Sequence, residues 1–182
     1  MLGYLTLLAT SATALFCWTV AVYGVGSSPY AVSALALVAA MAERWSARLG
    51  ENLEASVSLV AMVFAAVLLG PVESLVVAAA SMAGDFRRPF MRWGVYTSSR
   101  ALTGGATGIV AQAVLGAPMN GVAATAVAAI AGALIATTLD ISFAAVTMRL
   151  RGSASIGNVF KILAPATLAS VCLLYTSDAA DE

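Results

Sequence analysis

Long apolar runs, separated by short polar segments, make up most of the chain. A run of about 20 apolar residues is long enough to cross a bilayer core. Helices are expected there, because backbone groups in lipid must satisfy one another. The pattern therefore predicts an all-α fold, a polytopic transmembrane helix bundle with about seven visible spans. These spans cover about residues 2–25, 30–42, 55–70, 72–84, 95–115, 122–148 and 158 onward.

Three of these runs are short. The second, third and fourth hold about 13 to 16 apolar residues, or roughly 20–24 Å of helix against a core of ~30 Å. Three explanations stay open: polar flanks extend the helices, the bilayer thins locally, or the chain forms a re-entrant hairpin. Gly70 and Pro71 separate the third run from the fourth and predict a helix break.

Basic residues follow alternate runs. Arg44 and Arg48 follow the second run, Arg87, Arg88 and Arg92 the fourth, and Arg149 and Arg151 the sixth. The other connections carry no Lys or Arg. Since cytoplasmic loops are enriched in these residues, we expect the three basic loops to face the cytoplasm. Seven spans then give a cytoplasmic N-terminus, in a multi-pass protein of the bacterial cytoplasmic (inner) membrane.

Composition supports the membrane assignment. The apolar fraction is 61%, the charged fraction is 10% and the mean hydropathy is +0.94. Soluble domains carry about 25% charged residues. The chain has no histidine, which excludes His-based acid–base catalysis and His metal ligands within these residues. We expect no catalytic residue, no metal, no cofactor and no nucleic-acid partner here, and a lipid bilayer as the surroundings.

The chain ends in the string "CLLYTSDAADE", Cys172 to Glu182. Its back-translation resembles a transposase adapter used in sequencing libraries, so we interpret residues 172–182 as an artefact tail on a metagenomic fragment. A natural acidic C-terminus is the alternative. The transmembrane helical domain then covers residues 1–171. Without the tail's three acidic residues, nine basic and six acidic residues remain, a formal charge of +3.

Two charged residues inside apolar runs form the main site hypothesis. A charge at mid-membrane costs about 2.5–3.5 kcal/mol on insertion scales, so it usually faces a partner or a water-filled cavity. We hypothesise that Arg100 and Asp140 form an intramembrane polar pair that helps to line a pocket. The alternative is that each side chain snorkels to the headgroups. Glu73, just after the Gly70–Pro71 break, is expected to stabilise a helix N-terminus.

The stretch "TGGATG" places Gly104 and Gly108 at G-x-x-x-G spacing. Small residues at this spacing let two helices approach closely. The stretch lacks the preceding strand and the Lys-Ser/Thr of a phosphate-binding loop. We therefore predict helix packing at these two glycines.

One segment carries a family resemblance. "SVSLVAMVFAAVLLGPVESLVVAAASMAGDFRRPFMRW" resembles the N-terminal multi-span membrane (sensor) region of bacterial cyclic-di-GMP signalling proteins with HD-GYP or GGDEF domains. The shared features are a Ser-rich helix start (Ser56, Ser58), an apolar run, Gly70-Pro71, a second apolar run and then Arg87-Arg88-Pro89, which opens a basic loop. The family often has Asn where Tyr96 and Asp140 stand here. The resemblance implies a sensory or anchoring domain whose cytoplasmic cyclase or phosphodiesterase domain is missing from this truncated chain.

Two other functions stay open. The chain is alternatively a substrate-binding membrane subunit of a small-molecule transporter, which predicts a defined polar pocket, or a structural membrane protein. The sequence names no ligand, and homodimer formation is left open.

Overall fold

The computed structural model describes residues 2–26, 28–44, 58–85, 90–118 and 120–150. Within these ranges the chain is all-helical. The helices are α1 (Leu2–Tyr23), α2 (Pro29–Arg44), α3 (Ser58–Leu68), α4 (Pro71–Ser81), α5 (Phe90–Leu115) and α6 (Gly121–Leu150), with a 3-10 helix at Met82–Asp85 after α4.

Glycine and proline set several helix ends. Gly24 follows α1 with φ of 73°, and its N–H donates to the carbonyl of Val20 at 3.0 Å, which closes the helix. Pro29 and Pro71 occupy the first positions of α2 and α4, where the missing N–H costs nothing. Gly70 has φ of 120° and ψ of −176°, a conformation that only glycine adopts readily.

Successive helices alternate in direction. Leu5 lies against Gly94 and Leu15 against Gly105, so α1 and α5 run parallel. Along α4 the order is reversed, because Pro71 lies against Gly108, farther along α5. The N-terminus of α5 and the C-terminus of α4 therefore lie at the same end of the bundle.

The short helix α4 occupies the middle of the first five helices. It packs against α1, α2, α3 and α5. Eight of its eleven residues are buried: Pro71, Val72, Glu73, Ser74, Leu75, Val77, Ala78 and Ser81. The hydroxyl of Ser74 donates to the carbonyl of Met62 on α3 at 3.1 Å. The apolar character of α4 is therefore explained by burial against other helices.

Small side chains on α6 pack against α3, α4 and α5. Ala128 packs with Ala66 and Ala111, and Ala136 packs with Met62 and Ala78. The four buried positions on this face recur every fourth residue, at Ala124, Ala128, Gly132 and Ala136. Residues four apart share one face of a helix, so the next position on this face is Asp140.

The chain divides into two compact units, Met1–Trp45 with Ser56–Asp140, and Ser46–Ala55 with Ile141–Glu182. The first unit contains α1 to α5 and α6 as far as Asp140. In the second unit, the structure describes the remaining residues of α6.

The prediction of about seven membrane spans is wrong. Within the described ranges, two helices are long and apolar enough to cross a membrane, Leu2–Tyr23 and Gly121–Thr147. Helices α3 and α4 have 11 residues each. At 1.5 Å per residue each is about 16 Å long, half of a ~30 Å core. The span predicted from residue 158 onward lies outside the described residues.

Helices α2 and α5 are not among the helices that are long and apolar enough to cross a membrane, for different reasons. Helix α2 has 16 residues, or about 24 Å. Helix α5 has 26 residues, but Ser, Thr, Gly and Arg residues lower its hydropathy, and ten of its residues are buried in the protein. The predictions of a cytoplasmic N-terminus and of a multi-pass protein depended on seven spans, so the structure does not support them.

Candidate functional site

Arg100 is a buried cation near the middle of α5. Its side chain is 9% exposed. A buried charge is costly unless opposite charges and hydrogen bonds compensate it. The side chain is therefore expected to have partners on neighbouring helices, and the structure shows two carboxylates.

The first carboxylate is Glu43, in the last turn of α2. Its Oε1 lies 3.6 Å from Nη2 of Arg100. Its Oε2 accepts a hydrogen bond of 2.6 Å from the hydroxyl of Ser58, the first residue of α3. Glu43 therefore joins the end of α2 to the start of α3 and to α5.

The second carboxylate is Asp140 on α6. Its Oδ2 lies 3.5 Å from Nη1 of Arg100. The structure therefore brings together the two residues of the pairing hypothesis. A guanidinium buried to this extent does not fit the snorkelling alternative for Arg100. We name Glu43, Ser58, Arg100 and Asp140 the Arg100 cluster.

The geometry of the Arg100 cluster is suited to holding helices together. A planar guanidinium presents five N–H donors, so its two terminal nitrogens can face different carboxylates. The ion-pair distances of 3.5 and 3.6 Å are longer than well-formed N–H···O bonds. Within the described ranges, no group of three or more His, Cys, Asp or Glu side chains is placed to hold a metal. The cluster links α2, α5 and α6 by charge, and α3 by the hydrogen bond from Ser58 to Glu43.

The sequence did not point to Glu43 or Ser58, because both border a polar segment where water normally solvates them. One signal was present. An acidic residue in the last turn of a helix is unfavourable with the helix dipole, so Glu43 needed a separate reason to be there. Arg100 supplies that reason.

The predicted glycine packing lies on the face of α5 that meets α4. A Cβ atom at Gly104 would lie 2.5 Å from Cβ of Ala78 and 2.6 Å from the carbonyl oxygen of Ser74. A Cβ atom at Gly108 would overlap the backbone of Pro71. The two glycines thus let α4 and α5 approach more closely than any larger residue would allow. We call this contact the glycine seam.

Buried hydroxyls lie beside the glycine seam. Thr103 and Thr107 are fully buried, and each donates to the carbonyl four residues earlier, at 3.0 and 2.8 Å. These bonds satisfy the donors within α5, so the polar side chains can be buried between helices.

The break at Gly70 and Pro71 is present between α3 and α4. Glu73 lies in the first turn of α4 and is 6% exposed. It accepts a hydrogen bond from the backbone N–H of Gly26, in the connection between α1 and α2. The residue stabilises the helix N-terminus and also ties a second segment to it.

The basic residues expected at the membrane surface are only partly described. Arg44 contacts the carbonyl of Gly84 at 3.5 Å, and Arg92 lies over the ring of Tyr96 at 5.6 Å. Arg149 is exposed in the last turn of α6. Arg48, Arg87, Arg88 and Arg151 lie outside the described residues, as does the whole tail.

One surface groove among the described residues lies on α1, apart from the Arg100 cluster. It is an open groove of about 430 Å³ on α1, lined by Ala9, Thr10, Thr13, Ala14 and Cys17. Its lining is mainly apolar.

Comparisons with protein-family models, curated proteins and solved structures found no match to this chain. The resemblance to cyclic-di-GMP signalling proteins therefore stays a prediction from the residues that carry it.

Proposed function

We propose that the chain is a membrane-embedded sensory or anchoring domain of a bacterial signalling protein, in which the Arg100 cluster holds α6 against the other helices. The observation that carries this proposal is the position of Arg100 between carboxylates of two other helices. A buried charge network makes the packing of α6 dependent on local charge, which is what a sensory element requires.

The exposure of the two span-length helices supports the membrane environment. Only 17% of the apolar window of α1 and 22% of that of α6 is buried within the protein. The core helix of a soluble protein would be mostly buried. Leu2, Leu7 and Val22 on α1, and Val122 and Leu134 on α6, are each more than half exposed. Lipid is the solvent that suits such surfaces.

The short helices fit the same environment. Helices α3 and α4 are about 16 Å long and are joined at Gly70, so together they have the dimensions of a hairpin that enters and leaves on one side. Polar backbone at the tip of such a hairpin is tolerated when protein surrounds it. Gly70 is buried.

The signalling assignment rests on the family resemblance. A rearrangement of α6 would alter the chain that follows it, where the resemblance implies a cytoplasmic HD-GYP or GGDEF domain. The stimulus in this proposal is a small ligand, a lipid state or another membrane property that shifts α6 between two positions.

Two experiments test the proposal. Full-length protein expressed in bacteria is expected to stay in the membrane pellet after an alkaline carbonate wash and to enter solution only with detergent. Release by carbonate alone would contradict membrane embedding.

A long sequencing read across Val171 at the source locus tests the signalling assignment. We expect the reading frame to continue into a cyclase or phosphodiesterase coding region. A frame that stops within one further span would refute the signalling proposal and favour transport or a structural role. A genomic "TSDAADE" would show that the tail is natural.

A further inference from the structure

Glu73 is a buried carboxylate without a cation beside it. The residue is 6% exposed and lies in the first turn of α4. Its Oε1 accepts the hydrogen bond from the backbone N–H of Gly26, and among the described residues its carboxylate has no ion-pair partner. The dipole of α4 offsets part of the charge, since a helix N-terminus carries about half a positive charge. A carboxylate buried to this extent requires a fuller counter-charge.

The second carboxylate oxygen of Glu73, Oε2, faces the break between α3 and α4. It lies 3.2 Å from the point where a Cβ atom of Gly70 would be, and Nε2 of Gln112 on α5 lies 3.9 Å from the same point. In the described part of the chain, these are the atoms within 4 Å of that point apart from the chain neighbours of Gly70. Because Gly70 has no side chain, the space between the two polar groups stays open.

The amide of Gln112 is available to a ligand. Within the described ranges its side chain has no hydrogen-bond partner. Rotation of the amide exchanges its nitrogen and its oxygen, so Gln112 can present an oxygen to the space that Oε2 of Glu73 faces. Gln112 is partly exposed and Gly26 is exposed, so an ion from water can reach this end of the bundle.

Backbone carbonyls at the end of α3 add further oxygen atoms to the break. The N–H groups of Leu69 and Gly70 both donate to the carbonyl of Ala65, at 2.9 and 3.1 Å. In a regular α-helix the N–H of Gly70 would donate to Ala66 instead, and Pro71 has no N–H to donate. The end of α3 therefore presents carbonyls that lack their usual helical donors, at the negative end of its dipole.

Oxygen donors around one negative charge are the ligands of a monovalent hard cation. Discontinuous helices in membrane proteins coordinate sodium through carbonyls at the break and helix C-terminal ends. Calcium takes about six to eight oxygen ligands, commonly from several carboxylates, whereas Glu73 is the one carboxylate at this break among the described residues. A single positive charge neutralises Glu73, and a divalent ion would leave an unpaired charge in a buried place.

We propose that the break between α3 and α4 binds a monovalent cation of the size of sodium, with Oε2 of Glu73 and the amide oxygen of Gln112 as its side-chain ligands. We name Gly70, Glu73 and Gln112 the break site. An ion bound there would join α4 to α5 while Glu73 continues to hold Gly26. The inference goes beyond the proposed function, because it depends on neither the Arg100 cluster nor the signalling assignment.

Sodium binding to the purified full chain in mild detergent tests the break site. Radioactive sodium is the probe, and choline chloride keeps the ionic strength constant. We expect a single saturable class of sites in the wild-type protein. Calcium at the same concentration as sodium should not displace the bound ion, because the break site provides one carboxylate.

Two variants locate the ion. Glu73→Gln removes the charge but keeps an acceptor for the N–H of Gly26, and it should weaken sodium binding by about tenfold or more, the loss expected for a charged partner. Gln112→Leu removes a neutral ligand and should weaken binding by about threefold. Asn120→Leu is the matched control, because it removes an exposed amide outside the break site, and it should bind sodium like the wild type.

The contrary outcomes are distinct. Absence of saturable sodium binding to the wild-type chain overturns the proposal, whether or not Glu73 takes up a proton instead, and this measurement needs no variant. Binding that neither Glu73→Gln nor Gln112→Leu weakens places the ion elsewhere and also overturns it. Displacement by calcium would overturn the monovalent assignment. The sequencing read across Val171 bears on the signalling assignment alone, so the two proposals can fail separately.

Discussion

Substitution of Gly104 by valine gives a sharp test of the packing between α4 and α5. The first added carbon would lie 2.5 Å from Cβ of Ala78 and 2.6 Å from the carbonyl oxygen of Ser74, whereas ordinary contacts begin at about 3.4 Å. The two helices would have to separate by about 1 Å at this level. No flexible side chain can move aside, because one of the two contacts is backbone.

The expected cost follows from this geometry. Overpacking a well-packed core costs about 1–3 kcal/mol, and the branched valine lies at the upper end because two further carbons follow the first. The gain in helix propensity from glycine to valine is only a few tenths of a kcal/mol. We expect Gly104→Val to lower the free energy of unfolding by about 2–3 kcal/mol, and Gly104→Ala by about 1 kcal/mol.

The assay is reversible unfolding of the purified protein by SDS in mild detergent, followed by tryptophan fluorescence and circular dichroism. Gly3→Val is the matched control, because a Cβ at Gly3 meets nothing within 4 Å. The control should unfold at nearly the wild-type SDS fraction. Equal unfolding of Gly104→Val and wild type would refute the glycine seam, and an equal loss in Gly3→Val would show that the effect is unspecific.

Three further substitutions have expected outcomes in the same assay. Gly70→Ala should cost about 1–3 kcal/mol, because φ of 120° is strained for any side chain; an unchanged midpoint would contradict that backbone geometry. Glu73→Ala should cost about 1.5–3 kcal/mol, the range for a hydrogen bond to a charged group, by removing the acceptor of the Gly26 N–H, whereas Glu73→Gln keeps an acceptor and should cost less; equal costs would argue against this bond. Ser58→Ala should cost about 1 kcal/mol through the lost bond to Glu43, and a stabilised variant would be inconsistent with it.

The positions of the helices could be read from the sequence because two local signals coincide. Apolar runs mark the helices, and Gly70 with Pro71 marks the break between α3 and α4. The number of membrane spans could not be read in the same way. An apolar side chain looks the same whether lipid or another helix covers it, and α4 is covered by helices.

The site could be predicted in part for a similar reason. Arg100 and Asp140 stand out because each is a charge inside an apolar run, where a partner is needed. Glu43 and Ser58 border a polar segment, so nothing local distinguishes them from solvated residues. Their role depends on the start of α3 and the end of α2 meeting beside α5. This is a tertiary contact that the local sequence does not show.

The most direct test of the Arg100 cluster is the coupling free energy between Arg100 and Asp140. It is obtained from the unfolding of wild type, Arg100→Met, Asp140→Asn and the double variant. Exposed pairs contribute up to about 1 kcal/mol, and breaking a fully buried pair costs about 3–5 kcal/mol.

With side chains 9% and 38% exposed, this pair lies between those limits, and we expect a coupling of about 1–2 kcal/mol. Arg100→Met should be the more damaging single change, because it removes the cation from both ion pairs, whereas Asp140→Asn affects one. A coupling near zero, with additive single effects, would contradict the claim that this ion pair holds α6 to the bundle.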